Sequence, residues 1–231
     1  MKKWAVILAL GICVAIAVSG GFIYITGEDV NASSDTDAKS FLNKAEGGGA
    51  SYTEAGRKAN VDSQSSAGTG SGGANSSAES DTQAGRDAEA DSTSSASSTV
   101  GRPNSSAESD ARAGGDAEAD STSSAGTEKG SATSEAASCA EASGKAKADS
   151  ISSAGTERGS ANSNAESDAR AEGDAEAEST SRAGTKFGGA TSEAISYAES
   201  DDEDATAQSE SSSSTWFGGS SSSSEAEAIA H

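Results

Sequence analysis

The sequence predicts a mostly disordered, low-complexity chain of tandem 29-residue repeats, with latent β-strand and hairpin propensity and no conventional globular core. Three observations lead to this prediction. The stretch NSSAESDARAGGDAEADSTSSAGTEKGSA, residues 104–132, recurs in frame at 133–161 and 162–190. Hydrophobic residues make up only 32% of the 231 residues, and aromatic residues only 4%. Small and polar side chains alternate along each unit, which is a strand pattern.

The N-terminal segment has the pattern of an export signal. Lys2 and Lys3 precede an apolar run that begins at Trp4, and small residues up to Ser19 suit a signal peptidase. The favoured interpretation is a signal peptide over 1–19. The alternative is an uncleaved signal anchor over 4–26, which is long enough to span a bilayer. Both interpretations place the repeats outside the cell, and only the anchor implies a membrane contact.

A polar linker over 20–45 is predicted to follow, and then six tandem units without insertion over 46–219. A fixed internal period decides the architecture before any single motif does. Most Leu, Ile, Val and Phe side chains lie near the N-terminus, so the repeats have little apolar surface to bury. Ordering the backbone costs about 1–2 kcal/mol per residue. We therefore expect the isolated repeats to be largely disordered in dilute solution.

Within one unit, every second residue is small. Ala107, Ser109 and Ala111 alternate with Glu108 and Asp110, and a period of two is typical of a strand with two different faces. Glycines at 114–115 and 126–130 divide the unit, which predicts a short hairpin with one Ala/Ser face and one charged face. Because 29 is odd, the turns must also reset the facing from unit to unit. Ala/Ser faces of separate hairpins would then interlock as steric zippers do.

The tail, residues 199–231, overlaps the last unit and is acidic and Ser-rich. Its acidic run is a candidate for weak, diffuse calcium binding, because hard cations prefer oxygen ligands. The run consists of Asp201, Asp202, Glu203 and Asp204.

Two kinds of modification site are also predicted. Asn31, Asn75 and Asn104 each begin an Asn-x-Ser sequon and are candidate N-glycosylation sites. Ser77, Ser106 and Ser223 each stand two residues before a Glu and are candidate phosphorylation sites.

The sequence contains no arrangement typical of an enzyme. Its one histidine is the last residue, His231, and it has no Cys/His cluster and no phosphate-binding loop. A net charge of −21 repels nucleic acid. Cys139, the only cysteine outside the leader, is either an incidental free thiol or an intermolecular crosslink in an oxidising compartment. We predict no catalysis, no cofactor beyond weak calcium and no nucleic-acid partner.

The Ser/Ala/Gly-rich units, the alternation AESDARAGGDAEADSTSSAGT and the export leader resemble secreted silk-associated proteins, with sericin-type silk glues nearest, over roughly residues 46–224. The resemblance implies a hydrophilic coat or adhesive that converts from coil to sheet as it dries. We predict a secreted, extracellular structural protein that assembles through its Ala/Ser faces, with itself or with other matrix or silk proteins. The alternatives are an acidic calcium- or mineral-associated matrix protein and a glycosylated, mucin-like surface stalk.

Overall fold

The computed structural model describes residues 16–17, 22–42, 45–201 and 204–231, and they form a parallel β-solenoid of about 7 turns. The predicted disorder is therefore wrong for the repeats. The strands, in chain order, are β1 (Ile16–Ala17), β2 (Phe22–Leu42), β3 (Ala45–Gly72), β4 (Ala74–Ala84), β5 (Asp87–Gly101), β6 (Asn104–Ala113), β7 (Ala117–Ala142), β8 (Ala146–Ala171), β9 (Ala175–Ser200), β10 (Ala205–Phe217) and β11 (Ser220–Ala230).

Each strand pairs in parallel with the equivalent strand of the next unit, 29 residues further on. Ala117 of β7 lies beside Ala146 of β8, and Ala146 lies beside Ala175 of β9. The predicted hairpin is therefore wrong, because the two strands of one unit do not pair with each other. The alternation of period two fits either arrangement, and the identity of the units favours stacking each unit on its own copy.

Two corners per turn fold the sheet back on itself, at the positions where the sequence predicts turns. One corner consists of the short segment between strands, such as 114–116 between β6 and β7. At the other corner β7 bends at Gly130, whose φ is +131°. Thr127 faces the interior before this glycine and Ala132 faces it afterwards. The glycine corner thus performs the predicted reset of facing once in every turn.

The interior consists almost wholly of Ala and Ser. In β8, for example, Ala148, Ser150, Ser152 and Ala154 are all at most 3% exposed. The alternation predicted from the sequence correctly identifies the buried face. That face closes against the opposite layer of the same molecule, and no second hairpin is needed to cover it.

Serine hydroxyls join the two facing layers, and they explain why the composition gave the wrong expectation. Ser109 Oγ donates to the carbonyl of Asp120 across the interior at 2.7 Å. In the opposite direction, Ser92 Oγ donates to the carbonyl of Glu108 at 2.6 Å. Ala loses no side-chain entropy on burial, and each satisfied hydroxyl contributes about 1 kcal/mol. The argument for disorder counted apolar area alone and left out both effects.

The spacing between turns departs from 29 residues at both ends. Ala205 pairs with Ala175, so the last turn is 30 residues long and the uninterrupted repeat predicted up to 219 is corrected there. The extra residue lies in the corner 201–204, which takes the place of 172–174. At the other end, β2 pairs with β3 through much of the stretch predicted as a linker.

The leader predictions fall mainly on residues 1–15 and 18–21, which lie outside the described residues. Within the described part of the chain, no helix has the length and apolar character needed to cross a membrane.

Candidate functional surface

Parallel stacking places equivalent outward residues of successive turns in columns. Neighbouring residues of one column are about 4.8 Å apart, the distance between paired strands. One column, here called the aspartate column, contains Asp62, Asp91, Asp120 and Asp149. The solenoid thus brings together carboxylates that are far apart in the sequence.

The aspartate column carries unusual protonation equilibria. Partial burial raises the pKa of Asp91 to about 6, and the neighbouring carboxylate of Asp120 raises it further. Burial also raises the pKa of Asp120 to about 6, although Lys147 opposes the shift. Lys147 forms ion pairs with Asp149 at 2.8 Å and with Glu118 at 3.1 Å. The column is therefore only partly neutralised by its basic neighbours.

A second acidic column runs along the opposite layer and includes the free cysteine. It contains Asp81, Asp110, Cys139 and Asp168. Burial raises the pKa of Asp110 and Asp168, while nearby arginines lower it. Arg112 donates to Asp110 at 2.7 Å and Arg170 donates to Asp168 at 2.8 Å.

Cys139 is half-buried in that second column, and this placement bears on the predicted crosslink. Burial raises the pKa of its thiol to about 11, and Asp110 and Asp168 add to the shift. Disulfide exchange needs the thiolate, so the site disfavours rapid crosslinking at neutral pH. Crosslinking by Cys139 stays a prediction.

A groove of about 740 Å³ follows the first corner along the solenoid axis. Lys58 pairs with Asp87 across two turns at 2.6 Å, and Lys145 pairs with Asp174 at the same distance. Each ion pair joins one turn to the next. Such exposed pairs are worth at most about 1 kcal/mol each, and they fix the register of the corner more than they stabilise it.

The predicted calcium run is only partly visible. Asp201 and Asp204 are exposed at the corner of the last turn, whereas Asp202 and Glu203 lie outside the described residues. Over the ranges that the structure describes, no three His, Cys, Asp or Glu side chains converge in a way that could hold a metal ion.

The predicted modification sites lie on outward positions of two adjacent columns. Asn104 Nδ2 donates to Asn75 Oδ1 at 3.5 Å, so these two sequons stack on consecutive turns. Ser77 lies beside Ser106 on the same two turns, and Ser223 is exposed in β11. Asn31 lies in β2 beside Asn60, and its side chain is outside the described set.

An exposed aromatic cluster lies at the last turn. Phe217 stacks on Phe187 of the turn before, with ring centroids 5.3 Å apart and the planes 3° from parallel. Trp216 is 76% exposed and Phe217 is 67% exposed. We name Trp216 and Phe217 the terminal aromatic pair.

The columns are the features that sequence analysis missed. Aligning the units at a shift of 29 already places Asp62, Asp91, Asp120 and Asp149 in one line. That line acquires physical meaning only when the units stack in parallel, because a hairpin separates these residues. Comparison with protein-family models and with curated proteins finds no match for this chain.

The raised pKa values predict that the protein is more stable in mild acid than at neutral pH. Asp91 and Asp120 titrate near pH 6 in the folded protein and near 3.8 when unfolded. The folded state therefore holds more protons between these values, and stability falls as pH rises through that window. We expect the urea midpoint, followed by circular dichroism, to be higher at about pH 5 than at about pH 7.5.

The matched variants have equal charge. The double variant Asp91→Asn/Asp120→Asn is expected to lose most of the difference between the two pH values. The control Glu108→Gln/Glu128→Gln, which removes two exposed carboxylates outside the column, is expected to keep it. Equal pH dependence in the two double variants would assign the effect to net charge and not to the aspartate column.

Proposed function

We propose that this chain is a secreted structural protein, a stiff and hydrated rod within an extracellular coat, glue or matrix. The observation that carries the proposal is the interior of the solenoid. It is filled by Ala and Ser from successive turns, as at Ala119, Ala148 and Ala177, which are 0% exposed. Such an interior serves the stiffness of the rod, and the chemistry available to a partner lies on the outer columns.

Stiffness follows from two sets of hydrogen bonds that run in different directions. The parallel ladders join each turn to the next along the axis. Serine bridges such as Ser138 Oγ to the carbonyl of Asp149, at 2.6 Å, join the two layers across the axis. A cross-section tied in both directions resists bending and shear, which is the mechanical property that a coat or matrix component needs.

Assembly requires a surface other than the one that the sequence suggested. The Ala/Ser faces are buried inside each molecule, with Ser121 and Ser123 only 1% exposed. The outward columns are polar and bear excess negative charge, which suits hydration and separates rods laterally. The proposal therefore keeps the structural role and moves assembly to the ends or the charged faces of the rod.

The experiment is localisation in the native host, with antibodies raised against a central turn. We expect the protein in the extracellular insoluble fraction, and N-terminal sequencing of that material to begin after Ser19. A start at Met1 would support the anchor in place of the signal peptide. Recovery in the cytosolic fraction alone would overturn the proposed function.

A further inference from the structure

The two ends of the solenoid leave strand edges open. In the described part of the chain, β10 and β11 have a strand partner on one side only, namely β9. At the other end, the outer side of β2 is covered by β1 only at Ile23 and Tyr24. An uncovered edge presents a row of backbone donors and acceptors that can template another strand.

One column differs at the ends from what it is in the middle. Following the strand pairings from the first turn to the last, it contains Leu42, Ser71, Val100, Lys129, Arg158, Phe187 and Phe217. Its central members are charged, while its first and last members are apolar. Next to these ends in the sequence stand Phe41 and Trp216, so each end carries an apolar pair at the same register position.

We propose that a second copy of this chain docks end to end, with β10 and β11 of one molecule pairing in parallel with β2 of the next. The argument is continuity with the interface between turns, which already joins near-identical turns throughout the molecule. The terminal aromatic pair would then meet Phe41 and Leu42 of the neighbouring copy. This inference names the partner for the structural role proposed above and rests on that proposal for its biological meaning.

Charge sets the conditions for this docking. The same register brings Glu210 of one copy beside Asp35 of the next, because both belong to one column. Like charges directly opposite each other destabilise a strand pair, and salt screens them. The ends should therefore repel at low ionic strength and associate when salt is added.

The first measurement is sedimentation velocity of the full chain, from about 0.02 M to about 0.5 M sodium chloride. We expect oligomers to increase with salt, and the Trp216→Ser/Phe217→Ser variant to associate at least about tenfold more weakly. The control is Ile151→Ser, which removes an exposed apolar side chain of the central turns, 48% exposed. A monomer at every salt concentration, or equal loss in the control, would overturn the proposal.

Disulfide trapping determines which ends meet. Asp37 and Ser212 occupy one outward column, so head-to-tail docking brings them together across the junction. In a Cys13→Ala/Cys139→Ala background, the Asp37→Cys and Ser212→Cys chains are mixed and treated with oxidised glutathione. We expect a crosslink only in the mixture. A crosslinked dimer of the Ser212→Cys chain alone would mean tail-to-tail contact and would refute docking on β2.

The outcomes separate this inference from the proposed function. A monomer in vitro that nevertheless lies in the extracellular insoluble fraction leaves the structural role intact and removes only the end-to-end contact. Oligomers formed by a protein confined to the cytosol have the opposite meaning.

Discussion

Replacing Gly159 by alanine is expected to destabilise the solenoid by more than about 4 kcal/mol, a loss at the extreme of single substitutions. Gly159 has a φ of +134°, and a Cβ built on it would lie 1.7 Å from the carbonyl oxygen of Gly130. That oxygen belongs to the backbone of the neighbouring turn, so no side chain can move aside. Relief requires the two turns to separate, and separation breaks ladder hydrogen bonds on both sides of the corner.

The matched control is Gly155→Ala, four residues earlier in the same turn. A Cβ at Gly155 would meet no atom within 4 Å, so this change is expected to stay within about 0.5 kcal/mol of wild type. Urea denaturation followed by far-ultraviolet circular dichroism measures both. Similar midpoints for the two variants would mean that the corner does not hold successive turns in close contact.

The local geometry of the repeat could be predicted because it depends on short-range patterns. Ala107, Ser109 and Ala111 are buried as the alternation requires, and Gly130 lies at a predicted turn. The odd period forces a reset of facing, and Gly130 provides it. Each of these inferences needs only neighbouring residues and the geometry of a strand.

The pairing of strands could not be predicted in the same way. A hairpin and a parallel stack have the same alternation and the same turn positions, and they differ only in which strand lies beside which. The decisive clue is that Asp91 and Asp120 occupy identical places in successive units, which suits stacking in register. The energetic judgement also failed, because bonds such as Ser109 Oγ to the carbonyl of Asp120 exist only after the two layers meet.

The candidate surface was harder still, since its columns are created by the stack. Cys139 stands among Ala and Ser in the sequence, yet in the solenoid it lies between Asp110 and Asp168. The acidic run at 201–204, prominent in the sequence, lies at a corner of the last turn. Sequence density of charge thus pointed to the tail, whereas the half-buried carboxylates with raised pKa values lie in the central turns.

A leucine at Ala154 is expected to destabilise the protein by about 3 kcal/mol or more, the upper end of the usual cost of overpacking. Ala154 is 3% exposed and lies in a cluster with Ala125, Ala183 and other alanines of both layers. Nearby, Ser163 Oγ donates to Ser152 Oγ across the interior at 2.9 Å. Layers held at that separation have no room for three further carbon atoms.

Ser153→Leu is the control at the next residue. Ser153 faces outward and is exposed, so a leucine there changes stability by no more than about 0.5 kcal/mol. The pair of variants places the same side chain on opposite faces of one strand, and urea midpoints compare them directly. If the interior accepted the leucine as readily as the surface does, the two layers could not be in contact. The serine bridges would then lose their role in holding the rod together, and the structural function proposed for it would lose its physical basis.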